Sequence, residues 1–324
     1  MNEIKWGIIG CGDVTEVKSG PAFNKIANSK LVAVMRRDAA KAEDYAKRHG
    51  VPKWYSNAAD LINDPEVNAI YIATPPLQHE EYTIAALSAG KPVYVEKPMA
   101  LDGAAALRMA EAAKNTGVKL VVAHYRRAQP LFLKIKSLLE EKAIGDVRFV
   151  TLKMLQPAAS NVIANSEENW RINPAISGGG LFHDLAPHQL DLMLYYFGKA
   201  LKFQGIASKK DHASPVDDLV TGQILFEKGI TFSGTWCFAV PKNETADCCE
   251  IIGSKGKISF AVFGQSIKLD VDGATETIDF EPLQHVEQPM IEKVVAYFRG
   301  EDTNPCSAEV ALETMKIMDS FTAS

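Results

Sequence analysis

Trp6-Gly7-Ile8-Ile9-Gly10-Cys11-Gly12-Asp13-Val14-Thr15 joins an apolar run to a glycine-rich turn and then to a helix-like segment. A strand-turn-helix passage of this kind is the setting in which a dinucleotide fingerprint has physical meaning. Gly10 permits the tight turn, and Gly12 lets backbone approach a pyrophosphate. The amides that open the helix at Asp13 and Val14 then stabilise its charge. Thr15 stands where a third Gly or Ala is usual, and a small β-branched residue is tolerable there at the helix–strand junction. The competing reading is a plain turn.

Outward from this passage, the first third of the chain alternates short apolar runs with longer amphipathic stretches, the pattern of a parallel sheet with crossover helices. Strands are expected at 5–9, 30–35, 69–72, 92–95 and 119–123, with helices at 39–49 and 103–116 among the segments between them. The second strand ends without an acid: Val34-Met35 runs into Arg36-Arg37. A carboxylate at that point binds a ribose 2′-hydroxyl, whereas a guanidinium pairs with a 2′-phosphate. NADP is therefore expected in preference to NAD. Asp38 as a ribose ligand, or both arginines as a solvated loop, are the alternatives.

Past residue 123 the pattern changes. A basic amphipathic helix at 130–142 leads into β-like segments at 146–155, 201–208, 217–226, 230–238, 247–252, 257–263 and 266–270. Turns at Glu227-Lys228-Gly229 and Gly253-Ser254-Lys255-Gly256 make these sequential hairpins. The expectation is an α/β chain: a doubly wound parallel Rossmann sheet over 1–123, then an α+β domain over 124–324 with a large, mostly antiparallel open sheet. Helices at 185–197 and 289–298 are expected to cover one sheet face, leaving the other for solvent or a partner subunit, as in a homodimer or homotetramer. A last helix at 307–320 is expected to pack back on the first domain.

Composition limits the function classes. The 324 residues are too many for one ordinary core, and 47% hydrophobic with 23% charged residues is a globular balance. A formal net charge of -5 and a pI near 5.9 argue against a nucleic-acid binder. No basic-then-apolar leader and no bilayer-length apolar run is present, so a cytoplasmic protein without a membrane partner is expected. Cys11, Cys237, Cys248, Cys249 and Cys306 are odd in number and lack metal-ligand spacing, so reduced thiols and no metal are expected. A vicinal Cys248–Cys249 disulfide is the minor alternative.

Two further groups carry chemistry. Lys97 follows the strand at 92–95, on the carboxyl edge where open α/β sheets bind ligands, and an ammonium there can polarise a carbonyl or alkoxide. A plain surface lysine is the alternative. Asp184 and His188 stand four apart at the start of an apparent helix, so they can share one face toward an interdomain cleft, with Asp191 a turn further. Hydride transfer at an alcohol carbon must be coupled to proton transfer at oxygen, a task that suits histidine. A capping Asp184 beside a surface His188 is the plain alternative.

Thr74-Pro75-Pro76 with His79, then Glu96-Lys97-Pro98, then Gly178-Gly179-Gly180 leading to Asp184 and His188, together resemble the Gfo/Idh/MocA oxidoreductases over nearly the whole chain. The resemblance implies that Lys97 lies beside nicotinamide and substrate, its bond to Pro98 often cis, with Thr74, Pro75, His79 and Glu96 as neighbouring cofactor contacts. It implies that Asp184 contacts substrate or orients His188, and that Trp170-Arg171 reaches the cofactor. Tyr125 and Arg127 of His124-Tyr125-Arg126-Arg127 become substrate contacts, although Arg126 and Arg127 read equally as the solvated start of the next helix. His183 is the second candidate for proton transfer. Pro187 is unusual at its place and is expected to restrain the first helical turn. The implied activity is NADP-dependent hydride transfer to or from a sugar, cyclitol or polyol. The rivals are glycoside cleavage through transient oxidation on a retained cofactor, and a non-catalytic NADP sensor.

Overall fold

The computed structural model describes residues 1–157, 170–210 and 215–323. The chain divides into two compact units, one of Met1–Gln129 with Leu283–Met315, the other of Pro130–Pro282 with Lys316–Ser324.

The first unit is built on β1 (Ile4–Ile9), α1 (Asp13–Val17), β2 (Ser29–Met35), α2 (Ala39–His49), β3 (Lys53–Tyr55), α3 (Ala58–Asn63), β4 (Ala69–Ile72), α4 (His79–Ser88), β5 (Val93–Val95), α5 (Gly103–Thr116) and β6 (Leu120–Val122). Its six strands pair in parallel in the order β3-β2-β1-β4-β5-β6. The central strands are apolar on both faces and buried throughout, as helices on either side require. Trp6 is fully buried, and its Nε1–H donates to Ser29 Oγ at 3.0 Å, so the indole adds about 2–3 kcal/mol of burial without an unpaired donor. The crossover helices have local stops. Asp38 and Asp102 accept from Lys41 N and Ala105 N at the starts of α2 and α5, and Gly50 and Gly117 end those helices at positive φ.

The second unit contains α6 (Pro130–Glu140), β7 (Val147–Leu155), α7 (Pro174–Ser177), α8 (Gly180–Phe197), β8 (Ala200–Ser208), β9 (Leu219–Phe226), β10 (Thr231–Cys237), β11 (Ala246–Gly253), β12 (Gly256–Phe260), β13 (Ser266–Val271) and β14 (Ala274–Asp279). The eight strands run β14-β13-β12-β11-β7-β10-β9-β8, and every pairing is antiparallel except β7 with β10. Residues alternate strictly: Val150, Leu152 and Met154, or Phe232 and Trp236, are buried on one face. That face packs on α6 and α8 through Phe132 against Phe260, Phe182 against Trp236 and Phe197 against Phe226. The other face leaves Phe149 43% and Ile206 72% exposed.

Two helices complete the chain, α9 (Gln288–Arg299) and α10 (Ala308–Thr322). The expectation that a helix at 289–298 covers the antiparallel sheet is corrected: α9 belongs to the first unit. Phe298 packs on Trp6 at 5.6 Å, and Lys119 Nζ donates to Tyr297 O at 2.6 Å. Beyond α9, Val122 N–H bonds Cys306 O, so this late segment lies along β6. β14 was not expected, because its residues are nearly all exposed and leave no apolar alternation to read. No described helix is long and apolar enough to cross a membrane, and the five cysteines are free thiols.

Candidate active site

Because β4 follows β1 on one side while β2 flanks it on the other, the sheet changes direction of winding at β1, the crevice where doubly wound sheets take ligands. Gly10 leaves β1 at φ +96, and a Cβ there would lie 2.7 Å from the backbone nitrogen of Thr74, just past β4. Only glycine satisfies both demands. Gly12 differs: its backbone is extended, and a Cβ would meet nothing within 4 Å, so its bareness leaves open space rather than serving internal packing. Asp13 and Val14 lie in the single short turn of α1. Thr15 is accommodated at the junction, as expected of a small β-branched residue. It is fully buried, its Oγ1 donates to Gly12 O at 2.8 Å, and Tyr45 Oη donates to its carbonyl at 2.8 Å.

At the end of β2, Arg36 Nη1 reaches Cys11 O at 3.4 Å, which sets its guanidinium beside the glycine turn, while Arg37 is exposed. Asp38, the alternative ribose ligand, has its carboxylate engaged in capping α2.

Thr74 and Pro75 follow β4, and Glu96-Lys97-Pro98 follows β5, with Lys97–Pro98 cis. His79 lies against both of these loops, with Nδ1 3.0 Å from Pro98 O and Nε2 2.8 Å from Thr74 O, and the neutral ring donates to one of the two carbonyls. Its ring is completely buried, and that burial pushes its pKa down to about 4. A neutral imidazole donates from one nitrogen only, so His79 supports the loops and does not present itself to a ligand. Glu96 is buried as well. Tyr71 Oη donates to its Oε1 at 2.7 Å and the Lys97 amide to its Oε2 at 3.2 Å, while Lys97 itself is half-buried.

Tyr125, Arg126 and Arg127 occupy a 3₁₀ turn after β6 and are buried, so the solvated-helix alternative for the two arginines is corrected. Arg126 lies over the Tyr125 ring at 5.6 Å, and Gln129 Nε2 donates to Val286 O at 2.9 Å, which covers this turn from the returning segment.

In the second unit α8 starts at Gly180, five residues earlier than expected, so Asp184 is no cap. Asp184 accepts from Arg171 Nε at 3.0 Å, with side chains only 13% and 7% exposed, and the Arg171 guanidinium stacks on Trp170 at 4.5 Å. His188, one turn beyond Asp184, is buried with its ring edge-on to Phe263 at 5.6 Å. His183 is buried too, and desolvation pushes its pKa down to about 4. Its ring takes the space a Cβ on Gly179 would need, 2.0 Å from Nδ1, and Gly180 turns at φ +74 against Val216. Pro187 lies in the interior of α8 rather than its first turn, and its missing N–H leaves the His183 carbonyl without its helical donor.

The partnership of Arg171 with Asp184 and the part played by Tyr71 and Glu287 around Glu96 are not written in the sequence pattern. The Trp170-Arg171 pair marks only the arginine of the first. Nothing local marks Glu287, which lies far along the chain from Glu96.

Residues 4–124 match the family described as an oxidoreductase family with an NAD-binding Rossmann fold, and residues 132–259 match its GFO/IDH/MocA C-terminal domain. The chain is 48% identical to Oxidoreductase P35 of Formosa agariphila, over 99% of this chain and 98% of that one. It is 29% identical to trans-1,2-dihydrobenzene-1,2-diol dehydrogenase of Xenopus laevis, over 85% and 84%. Its fold superposes on the aldose-aldose oxidoreductase of Caulobacter crescentus, crystallised with glycerol, with a TM-score of 0.85 at 22% identity, covering 98% and 96% of the two chains.

Proposed function

Because this chain belongs to the Gfo/Idh/MocA family of oxidoreductases with an NAD(P)-binding Rossmann fold, we propose that it interconverts a hydroxyl and a carbonyl on a sugar, cyclitol or related polyol, with NADP as hydride carrier. The observation that supports this best is the sheet order. β2, β1, β4 and β5 are adjacent, so Arg36, the Gly10–Gly12 turn, Thr74-Pro75 and Lys97 leave the carboxyl ends of four successive strands. Motifs scattered over a third of the sequence thus form one row, from a phosphate-binding end at Arg36 to a reacting end at Lys97.

The residues present fit the dinucleotide. Gly12 leaves room for a pyrophosphate, Arg36 and Arg37 offer guanidinium donors to a 2′-phosphate, and the nearest acid, Asp38, is engaged as a cap. When bound, the nicotinamide supplies or accepts the hydride. Lys97 stabilises negative charge on the substrate oxygen. His188 takes the hydroxyl proton on oxidation and returns it on reduction. Asp184, oriented by Arg171, positions substrate and His188. His183 is the second candidate for proton transfer; desolvation lowers its pKa to about 4, which makes it a weak base. Thr74, Pro75, Trp170 and Arg171 complete the cofactor contacts, and Tyr125 and Arg127 complete the contacts to substrate. Glu96 acts on the cofactor side only through its peptide link to Lys97, its carboxyl being engaged by Tyr71 and the Lys97 amide.

The first unit in this reading holds the cofactor, and the second carries substrate contacts and self-association. The open face bearing Phe149, Leu201 and Ile206 supports a homo-oligomer formed through the large sheet. The similarity to a diol dehydrogenase and, in fold, to an aldose oxidoreductase supports a polyhydroxylated substrate. Turnover of NADP with a panel of sugars, cyclitols and vicinal diols tests the proposal. Failure of every polyol, or full activity in both Lys97→Ala and His188→Ala, overturns it.

A further inference from the structure

Tyr71 Oη stands at the centre of a buried polar cluster inside the first unit. It is 2.7 Å from Glu96 Oε1, 3.1 Å from Ser19 Oγ and 3.3 Å from Glu287 Oε2. Both glutamates are buried, and their carboxyls lie within hydrogen-bonding reach of each other. Two carboxylates so placed repel each other in a poorly solvated site, and one shared proton removes the conflict.

The geometry says where that proton resides. Tyr71 has one O–H, and its shortest contact spends it on Glu96. Glu96 also receives the Lys97 amide, so both its oxygens are already supplied with donors. Glu287 Oε1 has no hydrogen-bond partner among the described residues, and Tyr71 Oη lies 3.3 Å from Oε2, with the Glu96 carboxyl also within hydrogen-bonding reach. An acid proton on Glu287 makes it the donor to this cluster; an anion there would be left almost without donors.

Glu287 is itself firmly placed. It stands at the N-cap of α9 without capping it, and its amide donates to Lys18 O at the end of α1. Two residues earlier, His285 Nδ1 lies 2.6 Å from Val17 O. One short segment therefore holds the end of the nucleotide-loop helix and the carboxyl that supports the Glu96–Lys97 turn.

We propose that Glu287 is a positioning residue: as a neutral acid it donates to the Glu96 carboxylate, and so fixes the backbone of Lys97 where its ammonium meets the substrate oxygen. This rests on the dehydrogenase reading for its kinetic consequence, though not for the state of the proton. The charged and titratable groups around the pair are Lys18, Tyr71, Tyr94 and Lys97, with Tyr125 and Cys306 beyond Tyr94. Burial and the neighbouring Glu96 both push the Glu287 carboxyl well above the usual carboxylate range. The first turn of α9 favours net negative charge on the pair, which the Glu96 anion supplies.

The test uses the full chain with Glu287→Gln, which keeps an amide donor but no titratable proton, and Glu287→Ala, which keeps neither. Infrared spectroscopy of the cofactor-free protein at neutral pH should show a protonated carboxyl band that disappears in Glu287→Gln, whatever the enzyme turns over. In turnover, Glu287→Ala should lose about 10- to 100-fold in kcat, the cost of a misplaced reacting group, with the cofactor KM little changed. Glu287→Gln should stay within about threefold of the parent, and should lack the fall in activity that the parent shows when alkali strips the shared proton. Absence of the band in the parent protein overturns the proposal even if Glu287→Ala does not fold. So does a folded Glu287→Gln as impaired as Glu287→Ala. A chain that shows the band but turns over no polyol refutes the dehydrogenase reading alone.

Discussion

Arg171 Nε and Asp184 Oδ2 are 3.0 Å apart and almost out of solvent, so a change to either residue removes a close, buried charged partner of the other. Removing one partner of a buried pair costs about 3–5 kcal/mol, because a charge is left uncompensated. Arg171→Met should therefore destabilise the protein by an amount near that range, and Arg171→Met with Asp184→Leu by less than the sum of the single changes. Denaturant unfolding of the four proteins in a double-mutant cycle measures the coupling. Additive losses would mean that the pair does not act as one.

Lys97 and His188 are assigned separate tasks, charge stabilisation and proton transfer. Each alanine replacement should lower kcat by about 10²- to 10⁴-fold, with the melting temperature nearly retained for half-buried Lys97 and lowered for buried His188. On the proposed mechanism, in which the two tasks serve one substrate oxygen, their combined effect should fall short of the product. Steady-state kinetics of the single and double variants checks this.

Arg36→Ala with Arg37→Ala should cost NADP about 10- to 100-fold in affinity, the worth of charge-assisted hydrogen bonds to the 2′-phosphate, while NAD changes little. Titration with both cofactors reads the ratio directly. Equal losses for the two would show that the arginines do not distinguish them.

Gly10 and Gly12 separate internal strain from ligand space. Gly10→Ala meets the Thr74 backbone at positive φ and should destabilise the cofactor-free protein by about 1–3 kcal/mol or more. Gly12→Ala, extended and unobstructed, should leave that stability within about 0.5 kcal/mol, yet weaken cofactor binding sharply. Melting curves with and without NADP distinguish the two effects.

Two buried histidines, His79 and His183, have folded pKa values lowered to about 4. Between that value and about 6.5 the unfolded chain binds protons that the folded chain refuses, so their stability contribution is complete above the unfolded pKa. It is lost as the pH falls toward 4, by up to about 1.4 kcal/mol per pH unit for each ring. His183→Gln should flatten the loss measured by urea unfolding between pH 7 and pH 5. Glu287 acts with the opposite sign: its raised pKa makes the folded state hold a proton that the unfolded chain releases, so its contribution declines as the pH rises above the usual carboxylate range.

Much of this was legible in the sequence where the signal is local. α2 and α5 keep the expected bounds because their caps and terminal glycines lie beside their apolar faces. The β1–Gly10 turn was readable for the same reason, and strict alternation gave away β9 and β10. What escaped depends on distant partners. α9 has an amphipathic face that suits any apolar surface, and only Trp6 and Lys119 show which one it covers. The start of α8 was obscured by Gly180 and Pro187, residues that ordinarily interrupt helices. Arg171 was read toward the cofactor, and its bond to Asp184 required the fold of the intervening segment.

The segment Leu283–Met315 completes a unit whose other residues end at Gln129. A ribosome therefore delivers the whole antiparallel sheet before it delivers Phe298, which covers Trp6, and Cys306, whose carbonyl lies against β6. Until then the nascent Rossmann sheet has its Trp6 indole packed on Phe23 alone of its two ring neighbours and an unfinished edge, and it lacks the carboxyl of Glu287 beside Glu96. Vectorial synthesis thus delays completion of the first unit until Leu283–Met315 has been made, and a fragment ending at Gln129 would emerge with the β6 edge open to aggregation.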